Sequence, residues 1–196
     1  MNAIFSMIVK LLGLTNRLGK MRDLMLIGMM GGFIGTVAMD LMSLLFYLTR
    51  KSENTLAHIG GSMIVGKSRI GQRKNTLLGQ IWHMITGIGL GVPIMYCFNK
   101  TGINNHRIKG AFLGAVTWGL VYGLGAKLKL YAARPRLTKS HYSYLLTDIL
   151  YGIFTAEAIK QFSDPEVFQD NITNDLPFYE GKTNRYESGA NESYIH

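Results

Sequence analysis

Between Leu24 and Leu48 the chain reads LMLIGMMGGFIGTVAMDLMSLLFYL, an apolar run interrupted by one ionisable residue, Asp40. About 20 apolar residues are enough to cross the hydrocarbon core of a bilayer. No water is available there to satisfy backbone groups, so such a run must be helical. Asp40 adds a second constraint. A carboxylate at a helix centre costs about 2.5–3.5 kcal/mol on insertion scales, so it faces protein or water rather than lipid. The run therefore implies a membrane protein with a polar interior.

Three more stretches are nearly as free of charge. Leu77 to Phe98 reads LLGQIWHMITGIGLGVPIMYCF, and the third runs from about Ile108 to Leu130. The fourth, Tyr142 to Phe162, is the most polar. Together these predict an all-α fold, a four-helix transmembrane bundle over residues 24–162. Residues 1–23 precede it. Ile4, Phe5, Ile8, Leu11 and Leu12 fall at helical spacing opposite Lys10 and Arg17, which suits an interfacial helix lying on the lipid. Lys10 interrupts the segment and no small-residue cleavage site follows, unlike a signal peptide. The first loop holds a Gly-rich piece, Leu56 to Gly66, too short to span; a re-entrant segment or a packed loop fits it. Residues 163–196 are polar and acidic-leaning, a composition expected to stay disordered because it offers little apolar surface.

Charge and composition exclude several classes. The net charge of +9 could suggest nucleic acid, but the basic residues flank apolar spans and no nucleic-acid-reading motif is present. Anionic headgroups explain them better. The first and third loops, with Arg50, Lys51, Lys67, Arg69, Arg134 and Arg136 among others, outweigh the N-terminal tail and second loop. The positive-inside rule then puts those two loops in the cytoplasm and both termini outside. The basic N-terminal helix argues for the reverse. A single cysteine, Cys97, excludes an intramolecular disulfide and a cysteine-based metal cluster within one chain. The 11 methionines read as packing. No hydrolase triad, zinc-protease motif, phosphate loop or dinucleotide fingerprint is visible, so neither an enzyme nor a cofactor is expected.

Glycines recur four residues apart: Gly31/Gly35, Gly87/Gly91, Gly110/Gly114 and Gly119/Gly123. That spacing stacks them on one helix face and lets neighbouring backbones approach. It favours a tight bundle, a homo-oligomer, or both. The motif Gly31-Gly-Phe-Ile-Gly-Thr-Val also matches Gly110-Ala-Phe-Leu-Gly-Ala-Val, and His83-x-x-x-Gly87 matches Asp148-x-x-x-Gly152. Two repeated helix pairs would produce this pattern. Pro93, with Gly87, Gly89 and Gly91, marks the second span as the element expected to kink or break.

Depth sharpens the reading of Asp40. At 1.5 Å per residue, Asp40, His83 and Asp148 each lie roughly 6 Å from their span centres, all toward the first-loop side. Two carboxylates and a histidine at one level have three uses. They hold helices together by hydrogen bonds, with Gln80, Thr86, Thr147 and Tyr151 as partners. They pass protons or cations, because histidine titrates near neutral pH. Or they ligate a divalent metal, for which imidazole and carboxylate are ordinary donors. The first use is the commonest for such groups.

The glycine-rich first span ending in Met39-Asp40, the His83-x-x-x-Gly87 span and the late Asp148/Tyr151-Gly152 span resemble the YagU-like family of small bacterial inner-membrane proteins. The resemblance covers roughly residues 24–162. It implies a multi-pass protein of the bacterial plasma membrane and transfers no catalytic residue. The expectation is a structural or accessory membrane protein, homo-oligomeric and without catalysis of its own. The alternative is a small proton-linked transporter or ion pathway through Asp40, His83 and Asp148.

Overall fold

The apolar runs form helices, and the computed structural model describes residues 20–64, 73–128 and 137–168. The elements are α1 (Leu24–Leu48), α2 (Leu56–Ile64), α3 (Arg73–Thr101), α4 (His106–Trp118) and α5 (Thr138–Phe162). The chain after α4 winds on as a π-helix, Gly119–Leu124, and a final turn, Gly125–Lys127. Among the described residues the one β feature is an isolated bridge between Met21 and Ser163. The expected interfacial helix lies outside the described residues except for its last positions, from Lys20. There Asp23 caps α1, its carboxylate accepting from the Leu26 N–H at 2.8 Å.

The helices form a row in which α1 packs between α3 and α5, and α5 packs between α1 and α4. Helix α2 lies on α3; the Gly-rich first-loop piece is thus a packed helix. Glycine sets these seams. A Cβ on Gly28 would come within 2.7 Å of the Val92 Cα, and one on Gly32 within 2.6 Å of the Gly87 carbonyl oxygen. Likewise, a Cβ on Gly110 would meet the Ala156 side chain at 2.7 Å, and one on Gly152 would strike the Gly110 carbonyl. The repeat pairs α1 with α3 and α4 with α5, and those pairs do touch. Their registers differ, since α1 meets α3 through Gly28 and Gly32 and turns Gly31 and Gly35 toward α5.

Two helical segments are long and apolar enough to cross a membrane, Leu24–Leu48 and Lys74–Thr101. Helix α5 has the length, with 25 residues, but carries Lys139, Asp148, Glu157 and Lys160 and is largely buried between its neighbours. Helix α4 is regular for only 13 residues before the π segment. Large apolar side chains face outward from the row, including Leu77, Ile81 and Ile85 on α3 and Ile108 and Phe112 on α4. The buried interior combines Ile27, Met95, Phe98, Ile159 and Phe162 with Tyr144 and Tyr151.

The expected break in the second span does not occur. Helix α3 continues through Pro93. The proline withdraws a hydrogen bond from the carbonyl of Gly89, and Gly89 is exposed with open space around it. The irregularity falls instead in the third span, at Gly119–Leu124.

Both ends of the row are tied. At one, the Met21 N–H donates to the Phe162 carbonyl (2.8 Å) and the Asp164 N–H to the Met21 carbonyl (2.9 Å). Asn99 Nδ2 donates to the Val167 carbonyl at 2.8 Å, and Phe168 is buried. The first residues of the polar tail are therefore packed, because Val167 and Phe168 supply apolar surface. The rest of the tail lies outside the described residues. At the opposite end, Glu53 accepts from the Leu137 N–H (3.1 Å), and the Tyr144 hydroxyl donates to the Asn54 carbonyl (2.9 Å).

Candidate functional site

Asp40 projects from α1 toward α3, where Gln80 and His83 stand three residues apart on one helix face. Gln80 Nε2 donates to one oxygen of Asp40. His83 Nε2 lies 3.1 Å from the other. Both partners are largely buried, with side-chain exposures of 15% for His83 and 21% for Asp40. The His83 contact has ion-pair distance without hydrogen-bond alignment. Its strength therefore depends on the imidazole being protonated.

On its other side His83 borders a cavity of about 100 Å³. Asp148 from α5 lines the same cavity. It is 9% exposed, and no hydrogen bond or ion pair reaches its carboxylate among the described residues. The crossing of α4 explains this burial. Gly114 sits against the Asp148 backbone, where a Cβ would also fall 3.1 Å from the Ile149 Cα. Trp82, Trp118, Tyr144 and Tyr151 supply aromatic wall. Thr117, Trp118 and Val121 reach the cavity from the junction of α4 with the π-helix. Such π-helical insertions occur often at functional sites.

Asp40 itself opens the other way. It lines a groove of about 420 Å³ with Ser43, Thr55, Gln80 and Met84. Of the three residues singled out by depth, Asp40 and His83 are in contact, and His83 and Asp148 line one cavity.

The expected hydrogen-bond partners divide. Gln80 holds Asp40, and the Tyr151 hydroxyl bridges helices by donating to the Gly87 carbonyl at 2.7 Å. Thr86 and Thr147 instead bond their own helix, to Trp82 and Tyr144 carbonyls at 2.9 and 2.7 Å. The glycines divide as well. Gly31, Gly35, Gly87, Gly91, Gly110 and Gly114 are occupied by packing within the chain, whereas Gly119 and Gly123 face open space.

A second polar cluster escaped sequence reading. Glu157 of α5 accepts from Arg107 Nε at 2.8 Å and meets His106 Nε2 at 3.1 Å, both at the start of α4. The carboxylate beside it raises the pKa of the exposed Arg107 guanidinium, chiefly through that hydrogen bond. His106 and Arg107 sit in a basic loop, and nothing local ties them to Glu157. No group of three metal-ligating side chains is present among the described residues.

Fold and site define an all-helical protein with two helices suited to a membrane and a polar region between helices. Comparison with family models, with curated proteins and with solved structures finds no match.

Proposed function

We propose that the chain is a multi-pass protein of the bacterial plasma membrane, and that Asp40, His83 and Asp148 form a proton pathway within it. One observation carries the reading: His83 touches Asp40 on one side and shares a cavity with unpartnered Asp148 on the other. A proton entering by the groove protonates Asp40 or His83. The imidazole can take a proton at one nitrogen and release it from the other. The cavity, at about 100 Å³, has room for roughly three waters of about 30 Å³ each to complete the path to Asp148. In this reading all four long segments cross the bilayer, with the first and third loops in the cytoplasm.

A second reading rests on a different observation. Both Asp40 oxygens are already engaged by α3, as expected of a group that only holds helices together in an accessory, homo-oligomeric protein. Reconstitution separates the two. Vesicles loaded with a pH-sensitive dye should acidify after an acid pulse, and Asp40→Asn should abolish this without changing oligomer size. Unchanged flux with weakened assembly would instead support the accessory role, and no flux in the parent protein would end the pathway reading.

A further inference from the structure

The cavity that borders His83 carries more chemistry than a water file needs. Its wall is mostly apolar and aromatic, with Trp82, Trp118, Tyr144 and Tyr151 around a single carboxylate, Asp148. That carboxylate is nine-tenths buried and has no counter-ion among the described residues. Several ligand classes fail on these terms. An anion would be repelled by Asp148. A neutral hydrocarbon would leave the buried carboxyl group without a polar partner, which is costly. A hard metal ion needs about six oxygen donors, and the wall supplies few. An organic ammonium ion fits these features: its charge pairs with the carboxylate, and its methyl or methylene groups lie on aromatic faces, where cation–π attraction adds to binding.

We propose that this cavity binds a small alkylated ammonium group. Size and access agree. The cavity, at about 100 Å³, limits the ligand to a small head group. Met63, Trp82 and Val121 line the cavity and are partly exposed, so it opens on that side. An alkyl tail leaves there onto the outward apolar face of α3. The inference uses the same cavity as the proton pathway but does not require protons to move.

The test uses an accident of composition. The chain has 2 tryptophans, and both line the cavity, so intrinsic emission reports its occupancy. Full-length protein in phosphatidylglycerol nanodiscs, whose headgroups carry no ammonium, is titrated with butyltrimethylammonium and, in parallel, with 2,2-dimethylhexane, which has the same shape without the charge. The expected result is a saturable emission change with the ammonium ion alone. Asp148→Asn should weaken it by about tenfold or more. A linear response, an equal response to the hydrocarbon, or parent-like affinity in a folded Asp148→Asn protein would overturn the proposal. The comparison of the two probes on the parent protein stands even if a variant misfolds. Proton flux without ammonium binding would sink this inference and leave the pathway intact; binding without flux would do the opposite.

Discussion

Glycine pairs four residues apart do opposite things in two regions of this molecule. Where α1 crosses α3 and α4 crosses α5, Gly28, Gly32, Gly91, Gly110 and Gly152 let backbones touch, and no Cβ fits. At the end of the third span, Gly119 and Gly123 have the same spacing, yet nothing lies within 4 Å of an added Cβ. There the backbone winds as a π-helix and borders the cavity. The spacing thus marks permission for close approach, and only the tertiary fold decides whether a neighbour uses it. In the closed seams it builds the bundle. In the open segment it accompanies the π-helical winding beside the polar region.

Substitutions should separate the two regions sharply. Gly152→Val and Gly91→Val put side chains into backbone and should cost about 3 kcal/mol or more, read as loss of the folded species in thermal unfolding in detergent. A variant as stable as the parent would show that the seams are looser than described. Tyr151→Phe removes the hydroxyl that bridges α5 to the Gly87 carbonyl. It should cost about 0.6–1.7 kcal/mol, the span of interhelical hydrogen bonds in membrane proteins. Gly119→Ala and Gly123→Ala should stay within about 1 kcal/mol of the parent, because alanine is the better helix former and meets no obstacle. A seam-like loss at either position would reveal a neighbour there, such as a second copy of the chain.

A smaller effect belongs to the tied end of the closed region. Asp164 accepts from the Glu166 N–H and pairs with Arg22 at 3.2 Å, and the hydrogen bond first, then the guanidinium, holds its pKa below the usual carboxylate value. A carboxylate with a lowered folded-state pKa contributes stability above its unfolded pKa and loses it as pH falls through the folded value. The protection of the Met21 amide, its exchange rate relative to the intrinsic rate at the same pH, should therefore fall as the solution is acidified through that range. Asp164→Asn should remove this dependence; its persistence would place the titrating group elsewhere.

Much of the architecture was legible because its cause is local. The uncharged run around Asp40 and the glycine spacing gave helices and close seams before any contact was known. Depth counting along separate helices also brought Asp40, His83 and Asp148 to one level, since helix rise is nearly invariant. What was not legible depends on partners. Pro93 suggested a break, but the helix absorbs it where Gly89 is exposed; the actual irregularity sits at Gly119, which carries no breaker stronger than glycine. Helix α5 has the length of a span, and only the packed fold shows that its polar residues are mostly shielded by α1 and α4. The pairing of Glu157 with His106 and Arg107 joins positions about fifty residues apart, a distance over which no sequence pattern speaks. Tail residues Val167 and Phe168 were hidden inside a polar composition.

The central claim is that Asp40, His83 and Asp148 act as one pathway rather than as three separate contacts. The direct measurement is the initial rate of acid-pulse acidification in dye-loaded vesicles carrying the parent protein, Asp40→Asn, His83→Asn or Asp148→Asn at matched protein density. A single pathway requires each substitution alone to reduce the rate by about tenfold or more, with helical content unchanged by circular dichroism. Parent-like flux in any one of the three folded variants would contradict it.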